Sequence, residues 1–423
     1  MAYSSPSSIV CIVGAGISGL TAAAYLLQDN VRVVLVERRS EDSDKSVGGG
    51  LDLTANATAC LDAIGLKSAF AQIAELKQRV DVRRGTDGTT LLSLPRPSAM
   101  VHRADLMVML KEHVRKLGAD FIWDDSISSI AEGSDMVKVM LQSGKVIEAN
   151  VVIGADGHSS TNNVYQSSKN AMNLWLGPSR SIVDWTMTKR NNYHLQINDH
   201  VFGEGEGYGL EGSFDGTHHA SQFSDLPALQ ARFADFSETF SLILAEAKSC
   251  TLWRTAELSE LPSWSSAGGR VVLIGDAAHN FPPYAGQGAA MAIEDAAVLG
   301  TLVRRTVKSG TTMRAAAKTY ERLRRPRIDA CRNIVRANMH TLSLEKLEDQ
   351  FPPLQMMPSG GAATPRADEP ATMDRLLALL DHNPVQEASD SELLESLLSP
   401  AEVPRVKRPH IKKLEFGPTM EKQ

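Results

Sequence analysis

This 423-residue chain has few cysteines and no excess of basic residues. Its four cysteines have no spacing typical of a metal site or a disulfide framework, which favours a reducing compartment. The 44 lysines and arginines are outnumbered by 50 aspartates and glutamates, so a net charge of -6 gives no global attraction to nucleic acid or an acidic membrane. The H-E-x-x-H, P-loop and G-x-S-x-G motifs are also lacking, so hydrolase and kinase functions have no support.

No stretch of the sequence is both long enough and apolar enough to span a bilayer. The first 28 residues carry no charged side chain, a pattern that signal peptides and membrane spans share. However, the segment has no basic start, and glycines interrupt its apolar run. We therefore predict a soluble, cytoplasmic protein whose N-terminus is a buried strand followed by a helix. The length predicts two or three domains, and the 43% hydrophobic content is that of an ordinary globular protein.

The N-terminal pattern predicts a βαβ unit that binds a dinucleotide. The apolar run Ile9–Val13 is typical of a buried parallel strand, and a helix to about Gln28 and a strand over Val31–Val36 follow it. A G-x-G-x-x-G turn between the first strand and the helix lets the helix N-terminus approach a pyrophosphate. The glycines of this motif are Gly14, Gly16 and Gly19. Glu37 ends the second strand, where its carboxylate can accept hydrogen bonds from an adenosine ribose.

A second glycine-rich segment, far along the chain, decides between NAD and FAD. The buried strand Val271–Ile274 leads directly into Gly275-Asp276, and an aspartate at a strand end can hold a ribityl hydroxyl. The run from Pro282 to Ala289 then opens a long apolar helix. The N-terminus of such a helix can stabilise the negative charge that a reduced flavin carries at its pyrimidine edge. This combination favours FAD.

The order of the motifs resembles that of the single-component FAD-dependent aromatic hydroxylases, in particular the fungal salicylate-hydroxylase-like monooxygenases. The resemblance covers most of residues 8–340, and the run GDAAHNFPPYAGQGAAMAIEDA is highly specific. The matching segments are Gly14–Gly19, Glu37, Gly48–Leu51, His102–Leu106, Gly154–Gly157 and Gly275–Asp295.

The resemblance implies a cofactor, a reaction and a set of contacts. The residues that match the FAD contacts of the family are Glu37, Gly50, Arg103, Asp156, Asp276 and Ala289, and those that match the turn beside the isoalloxazine ring are Pro283, Gly286 and Gly288. In the implied reaction NAD(P)H reduces FAD, O₂ forms a flavin C4a-hydroperoxide, and an aromatic or polyketide-like small molecule of secondary metabolism is hydroxylated or epoxidised. No metal, nucleic acid or membrane span belongs to this scheme.

The segment after Asp156 departs from the pattern of the family in two ways. Where the family continues Asp-Gly-x-x-Ser-x-x-Arg, this chain keeps Ser160 but has Asn163 in place of the arginine. Between Gly157 and Asn173 the family threads the first strands of its substrate sheet, and we expect these strands to be missing here. A flavin-binding but catalytically degenerate homologue is therefore an alternative. A plain NAD-dependent dehydrogenase is a third hypothesis, against which the Gly275-Asp276 segment argues.

The sequence offers few candidates for a catalytic base. Tyr193 matches the place of a tyrosine that relatives carry near the substrate, and an ordinary aromatic residue of the sheet is the competing interpretation. His194 and His218-His219 could act as bases near neutral pH, but no spacing places a carboxylate beside them. The eleven lysines and arginines of residues 301–340 predict a solvated helix face rather than a phosphate-binding stripe.

The predicted fold class is α/β, a Rossmann-type FAD-binding domain with a smaller, mostly antiparallel substrate sheet. The predicted domains are 1–170 with 263–345 for FAD, an apparently shortened 171–262 for the substrate, and a C-terminal extension over 346–423. Further predicted elements are helices over 56–75, Arg103–Leu117, Leu226–Phe236 and Met373–Leu380, strands over Val137–Leu141 and Val146–Val152, and a loop over 352–372.

Overall fold

The computed structural model describes residues 8–29, 31–41, 49–156, 171–190, 192–199, 220–223, 226–247, 250–253, 257–309, 312–350 and 382–389. Some segments of the sequence analysis lie outside these ranges. They are Gly48, the segment 157–170, where strands of the substrate sheet were expected to be missing, His218-His219, the loop over 352–372 and the helix over Met373–Leu380. Within the described ranges, no helix combines the length and the apolar character that a membrane crossing requires.

The described residues form strands and helices with the following bounds. The strands are β1 (Ser8–Val13), β2 (Val31–Val36), β3 (Gly50–Leu53), β4 (Glu75–Arg84), β5 (Thr90–His102), β6 (Asp120–Ile122), β7 (Ile127–Glu132), β8 (Val137–Leu141), β9 (Val146–Ala149), β10 (Val151–Gly154), β11 (Ala171–Gly177), β12 (Arg180–Met187), β13 (Asn192–Asp199), β14 (Ala220–Phe223), β15 (Cys250–Trp253) and β16 (Val271–Leu273). The helices are α1 (Ile17–Leu26), α2 (Ala55–Ala63), α3 (Lys67–Ile73), α4 (Arg103–Lys116), α5 (Leu226–Arg232), α6 (Glu238–Ala245), α7 (Asp276–His279), α8 (Gly288–Ser309), α9 (Met313–Ser343), α10 (Leu347–Gln350) and α11 (Pro384–Ser389).

A parallel sheet in the order β16-β10-β1-β2-β6 forms the first layer. Val10 and Ile12 of β1 are fully buried in the large core that includes the apolar residues of α1 and α8. Cys11 points the other way and packs against the three-stranded sheet β7-β8-β9. Because both faces of β1 are covered, its sequence is a continuous apolar run rather than an alternating one. The predicted Rossmann-type layer is confirmed.

A second sheet, in the order β13-β12-β11-β4-β5-β3, is antiparallel except for its β11–β4 pair. The predicted mostly antiparallel sheet is confirmed, but the sequence analysis did not predict β3, β4 and β5. Helices α5 and α6 cover one face, where Phe233, Phe236 and Phe240 pack with Trp175 and Ile182. The other face lines a cavity. Since the sheet combines strands from both sides of residue 170, the domain boundaries stay a prediction.

Two predicted helices differ from the observed ones. The helix predicted over 56–75 is two helices, α2 and α3, because the chain turns between them at Gly65, whose φ is +79°. The helix predicted over Leu226–Phe236 ends at Arg232. A further helix, α6, then begins where the Ser237 side chain accepts a hydrogen bond from the Phe240 N–H.

The strand predicted over Val146–Val152 is also two strands. Strand β9 pairs with β8 in the three-stranded sheet, whereas β10 lies between β1 and β16 in the parallel sheet. Asn150 separates them, and its side chain accepts a hydrogen bond of 2.8 Å from the Ile9 N–H. Hydrophobicity alone did not show this change of sheet, because apolar residues continue from Val146 to Ile153 with only Glu148 and Asn150 between them.

Candidate cofactor and substrate cavity

A cavity of about 840 Å³ lies between the two large sheets. Its walls include ten of the predicted cofactor-binding residues: Gly16, Glu37, Gly50, Arg103, Asp156, Asp276, Pro283, Gly286, Gly288 and Ala289. These residues come from six separate parts of the chain, and the fold brings them together. Ligand pockets commonly have volumes of roughly 300–1,000 Å³, so the cavity has the size of a cofactor or substrate site.

The glycine turn after β1 forms one end of the cavity. Gly14 has a φ of +102°, and a Cβ atom there would lie 2.4 Å from the carbonyl oxygen of Ala155. A Cβ atom on Gly19 would lie 2.0 Å from the Gly14 carbonyl oxygen. Gly14 and Gly19 do not line the cavity, so their part is to let strand, turn and helix approach closely. Gly16, Ile17 and Ser18 present the N-terminus of α1 to the cavity.

Glu37, at the end of β2, braces this turn. One carboxylate oxygen, Oε2, accepts a hydrogen bond of 2.9 Å from the Ala15 N–H. The other, Oε1, accepts from the N–H and the Nε–H of Arg39 at 3.0 and 3.1 Å. A carboxylate has about four lone-pair directions, so Glu37 keeps acceptor capacity on the side that faces the cavity. The sequence analysis missed the contact of Glu37 with the turn itself.

The Gly275-Asp276 turn lies beside the same helix N-terminus. Gly275 has a φ of +60°, and a Cβ atom there would lie 2.5 Å from the Ser18 hydroxyl oxygen. Its N–H donates a hydrogen bond of 2.9 Å to the carboxylate of Asp295. Asp276 begins α7 and lines the cavity. The two motifs that the sequence analysis linked to a flavin dinucleotide are therefore in contact.

A buried ionic cluster supports this turn from behind. Asp295 and Glu294 of α8 and Arg324 of α9 have no exposed side-chain surface. Arg324 donates from Nε to Asp295 at 2.7 Å and also pairs with Glu294, while His279 Nε2 lies 2.5 Å from Asp295 Oδ2. Burial by itself would raise the pKa of Asp295, but the neighbouring His279 and Arg324 hold it at about 2.

The prediction of a solvated basic face on residues 301–340 is wrong for Arg324, Arg327 and Arg332, whose side chains are buried or nearly so. Arg327 is one-tenth exposed and donates to both carboxylate oxygens of Glu294 at 2.5 Å. Asn56 of α2 also donates to Glu294, at 2.6 Å. The cluster therefore ties α2, α8 and α9 together behind the cavity. Charge count along one helix could not reveal this, because the partner carboxylates lie on another helix.

The six-stranded sheet forms the other end of the cavity. Apolar side chains dominate this wall: Val80, Val82, Leu94, Met172, Leu174, Leu176 and Val183. Polar side chains enter it at Asp52 and Arg96 and along β13, which contributes His194, Gln196 and Asn198. A largely apolar wall with a few placed polar groups is typical of sites for small organic molecules.

The structure places Tyr193 away from this wall. Tyr193 is 1% exposed and does not line the cavity. Successive strand residues point to opposite faces, so the neighbouring His194 faces the cavity, whereas Tyr193 shares the face of Leu195 and Ile197, which pack with the α5–α6 cluster. The structure therefore does not bring Tyr193 together with the other predicted site residues.

His194 is held in one protonation state. Its Nδ1 accepts a hydrogen bond of 2.9 Å from the Gly50 N–H, and its ring stacks on Trp185 with a centroid distance of 3.9 Å. Burial, with the nearby His102, lowers the pKa of His194 to about 3. The ring is thus neutral near pH 7, and since Nδ1 is the acceptor, the proton is on Nε2. In this state Nε2 is a hydrogen-bond donor, and the ring does not act as a base near pH 7.

Comparison with known proteins gives one family match. The model of the FAD binding domain family matches residues 7–171 and 253–334. Similar curated proteins include a FAD-dependent monooxygenase, OpS4, of Beauveria bassiana, 26% identical over 356 residues, which are 75% of this chain and 81% of that protein. The salicylate hydroxylase of Pseudomonas putida is 28% identical over 383 residues, covering 80% of this chain and 86% of that protein. A 3-hydroxybenzoate 6-hydroxylase of Polaromonas naphthalenivorans is 26% identical over 332 residues, covering 70% and 79%.

Two solved structures show the same fold. The crystal structure of CtdE in complex with FAD and a substrate has a TM-score of 0.73 and 18% identity, and the match covers 92% of this chain and 98% of that one. A salicylate hydroxylase substrate complex has a TM-score of 0.69 and 18% identity, covering 95% of this chain and all of that one. The agreement extends over both sheets rather than over the glycine turn alone.

Proposed function

The chain belongs to the family of FAD-dependent aromatic hydroxylases, and from this premise we propose that it oxidises NAD(P)H, consumes O₂ and hydroxylates or epoxidises a small aromatic molecule. The relatives named for salicylate and 3-hydroxybenzoate support a ring-bearing substrate. The observation that carries the proposal is the continuity of the cavity, which runs from the glycine turn and Asp276 to the apolar face of the six-stranded sheet.

The residues present fit FAD at the first end of this cavity. Gly14 and Gly19 leave no room for side chains where the turn meets Ala155, which gives the close backbone approach that a pyrophosphate needs. Glu37 offers acceptor capacity for a ribose, and Asp276 offers it for a ribityl chain. Arg103 would face the negative charge of the phosphates. Pro283 and Gly286 form the turn that would lie beside the ring.

The apolar end of the cavity would hold the substrate. When bound, FAD would supply two-electron chemistry, taking a hydride from NAD(P)H and passing one oxygen atom of O₂ to the substrate while the other leaves as water. The aliphatic side chains of β4, β11 and β12 would exclude water from this end of the cavity. The polar groups of β3 and β13 would fix the orientation of the substrate ring. Residues 171–262, with β3, β4 and β5, would then form the substrate-binding part.

The proposal is tested on the purified protein. We expect a yellow protein with one FAD per chain, and NAD(P)H oxidation that speeds up when a phenolic substrate is added. The control is the Asp276→Ala variant, which should lose FAD because the carboxylate at the cavity wall is removed. A colourless protein that gains no FAD on incubation would contradict the cofactor, and a yellow protein that no phenol stimulates is the behaviour expected of a catalytically degenerate homologue.

A further inference from the structure

Three polar atoms at the sheet end of the cavity are buried and have no hydrogen-bond partner among the described residues. They are Asp52 Oδ1, Trp185 Nε1 and His194 Nε2. All three side chains line the cavity. Leaving a buried polar atom without a partner is unfavourable, so a group of three such atoms on neighbouring side chains points to a ligand that completes them.

Strand β3 brings the three side chains close to one another. Gly50 and Asp52 are two positions apart on this strand, so they point to the same face and lie about 7 Å from each other. His194 bonds to the Gly50 N–H, and a Cβ atom on Gly50 would lie 3.0 Å from Trp185 Nε1. Two donors, Trp185 and His194, thus lie near Gly50. One acceptor, Asp52, lies two residues further along the same strand.

The charge at this end is balanced. Arg96 is the one cation that the described strands of the six-stranded sheet contribute to the cavity wall, and it is paired with Asp52. Both side chains are largely buried, at 13% and 8% exposed. Next to them, a Cβ atom on Gly286 would lie 3.7 Å from Asp52 and 3.8 Å from Arg96, so the pair borders the turn beside which the flavin ring would lie. A ligand carboxylate entering here would meet the carboxylate of Asp52, and the described strands of this wall offer it no unpaired cation.

We propose that the cavity selects an uncharged aromatic substrate that offers an O–H or N–H donor to Asp52 and an acceptor to His194 and Trp185. This substrate class rests on the proposed function and narrows it. The free acceptor of Asp52 requires a donor on the ligand. The pairing of Arg96 removes the attraction that a benzoate would need, and the donors at Trp185 and His194 suit a carbonyl, ether or phenol oxygen.

The test compares two ligands of nearly equal shape, 3-hydroxybenzamide and 3-hydroxybenzoate, which differ in charge. Dissociation constants are measured from the change in flavin absorbance and, independently, from the shift in unfolding temperature. We expect the wild-type protein to bind the amide at least about tenfold more tightly than the carboxylate. The Asp52→Asn variant frees Arg96 for the carboxylate, so its preference should move toward 3-hydroxybenzoate by about tenfold or more.

The matched control is Asp235→Asn, the same chemical change at an ion pair with Arg180 that lies outside the cavity wall. It should leave the ligand preference unchanged. Tighter wild-type binding of the carboxylate would overturn the proposal, whether or not Asp52→Asn folds. Loss of FAD from Asp52→Asn with an unchanged ligand preference would also overturn it, because Asp52 would then hold the cofactor. Failure of the proposed function is distinct: no FAD binds, or no aromatic compound stimulates NAD(P)H oxidation.

Discussion

Replacing Asp295 with asparagine should loosen the turn that carries Asp276. Asp295 is fully buried and accepts hydrogen bonds from Gly275 and Arg324, and His279 lies against it. Asparagine keeps the shape but removes the charge, so Arg324 is left with Glu294 alone and Gly275 loses a charged acceptor. The turn that places Asp276 at the cavity is then less well fixed.

The magnitude follows from two independent figures. A pKa of about 2 for Asp295, against 3.8 for an ordinary carboxyl, corresponds to about 2 kcal/mol of stability. Removing one partner of a buried ion pair costs about 3–5 kcal/mol, and the lower value applies here because Glu294 still balances Arg324. We expect Asp295→Asn to lower the free energy of unfolding by about 2–3 kcal/mol.

The sign of the pH dependence is set by the lowered pKa. A carboxyl group whose pKa is lower in the folded state stabilises the protein above the unfolded pKa near 4, and this contribution is lost as the pH falls toward 2. The difference between wild type and Asp295→Asn should therefore be constant from about pH 5 to 8 and shrink below pH 4.

The assay is urea unfolding of the two proteins at several pH values, with FAD content measured on the same samples. The control is Asp120→Asn, which removes a surface pair with Arg32 whose side chains are both about half exposed. This pair should contribute less than about 1 kcal/mol. Equal stability of wild type and Asp295→Asn, with equal FAD content, would refute the role assigned to the buried cluster.

Three further predictions concern the glycine turn and the cavity wall. Gly14→Ala should abolish FAD binding, measured by absorbance, because the φ of +102° and the carbonyl of Ala155 at 2.4 Å leave no place for a Cβ atom; retained FAD would contradict this. Gly50→Ala should lower the unfolding temperature and cost about 1–3 kcal/mol, because its Cβ atom would lie 2.5 Å from the Trp185 ring; full stability would show that the ring moves freely. His194→Gln should reduce the loss of stability at acid pH, because a histidine whose pKa is about 3 in the folded protein lowers the free energy of unfolding by about 1.4 kcal/mol for each pH unit below 6.5. Identical profiles of stability against pH for the two proteins would contradict the buried neutral ring.

The sequence predicted those parts of the fold whose residue pattern lies within one short, continuous segment. Strand β1, the glycine turn and α1 follow one another directly, and burial on both faces leaves a continuous apolar run. Strand β5 shows the opposite case. It contains Pro95 and Pro97 and many exposed positions, and its register against β4 shifts between Lys77 and Arg79. Such a strand has neither clear alternation nor unbroken hydrogen bonding, so the sequence did not indicate it.

The candidate site likewise contains residues that the sequence predicted and residues that it did not. The glycine and aspartate motifs were found because each needs a fixed residue type in one short segment. Asp52, Arg96 and His194 were not recognised as a group, since β3, β5 and β13 meet only in the folded sheet. Arg324 looked like a surface residue because its partners, Asp295 and Glu294, lie on a different helix.

One measurement tests the monooxygenase assignment most directly. The purified protein, NAD(P)H and an uncharged phenol are incubated under oxygen-18 gas, and the product is analysed by mass spectrometry together with the NAD(P)H consumed. The account predicts a product that carries one labelled oxygen atom, formed in proportion to NAD(P)H. A flavin-loaded protein that consumes NAD(P)H and yields only hydrogen peroxide with every phenol tested would contradict it.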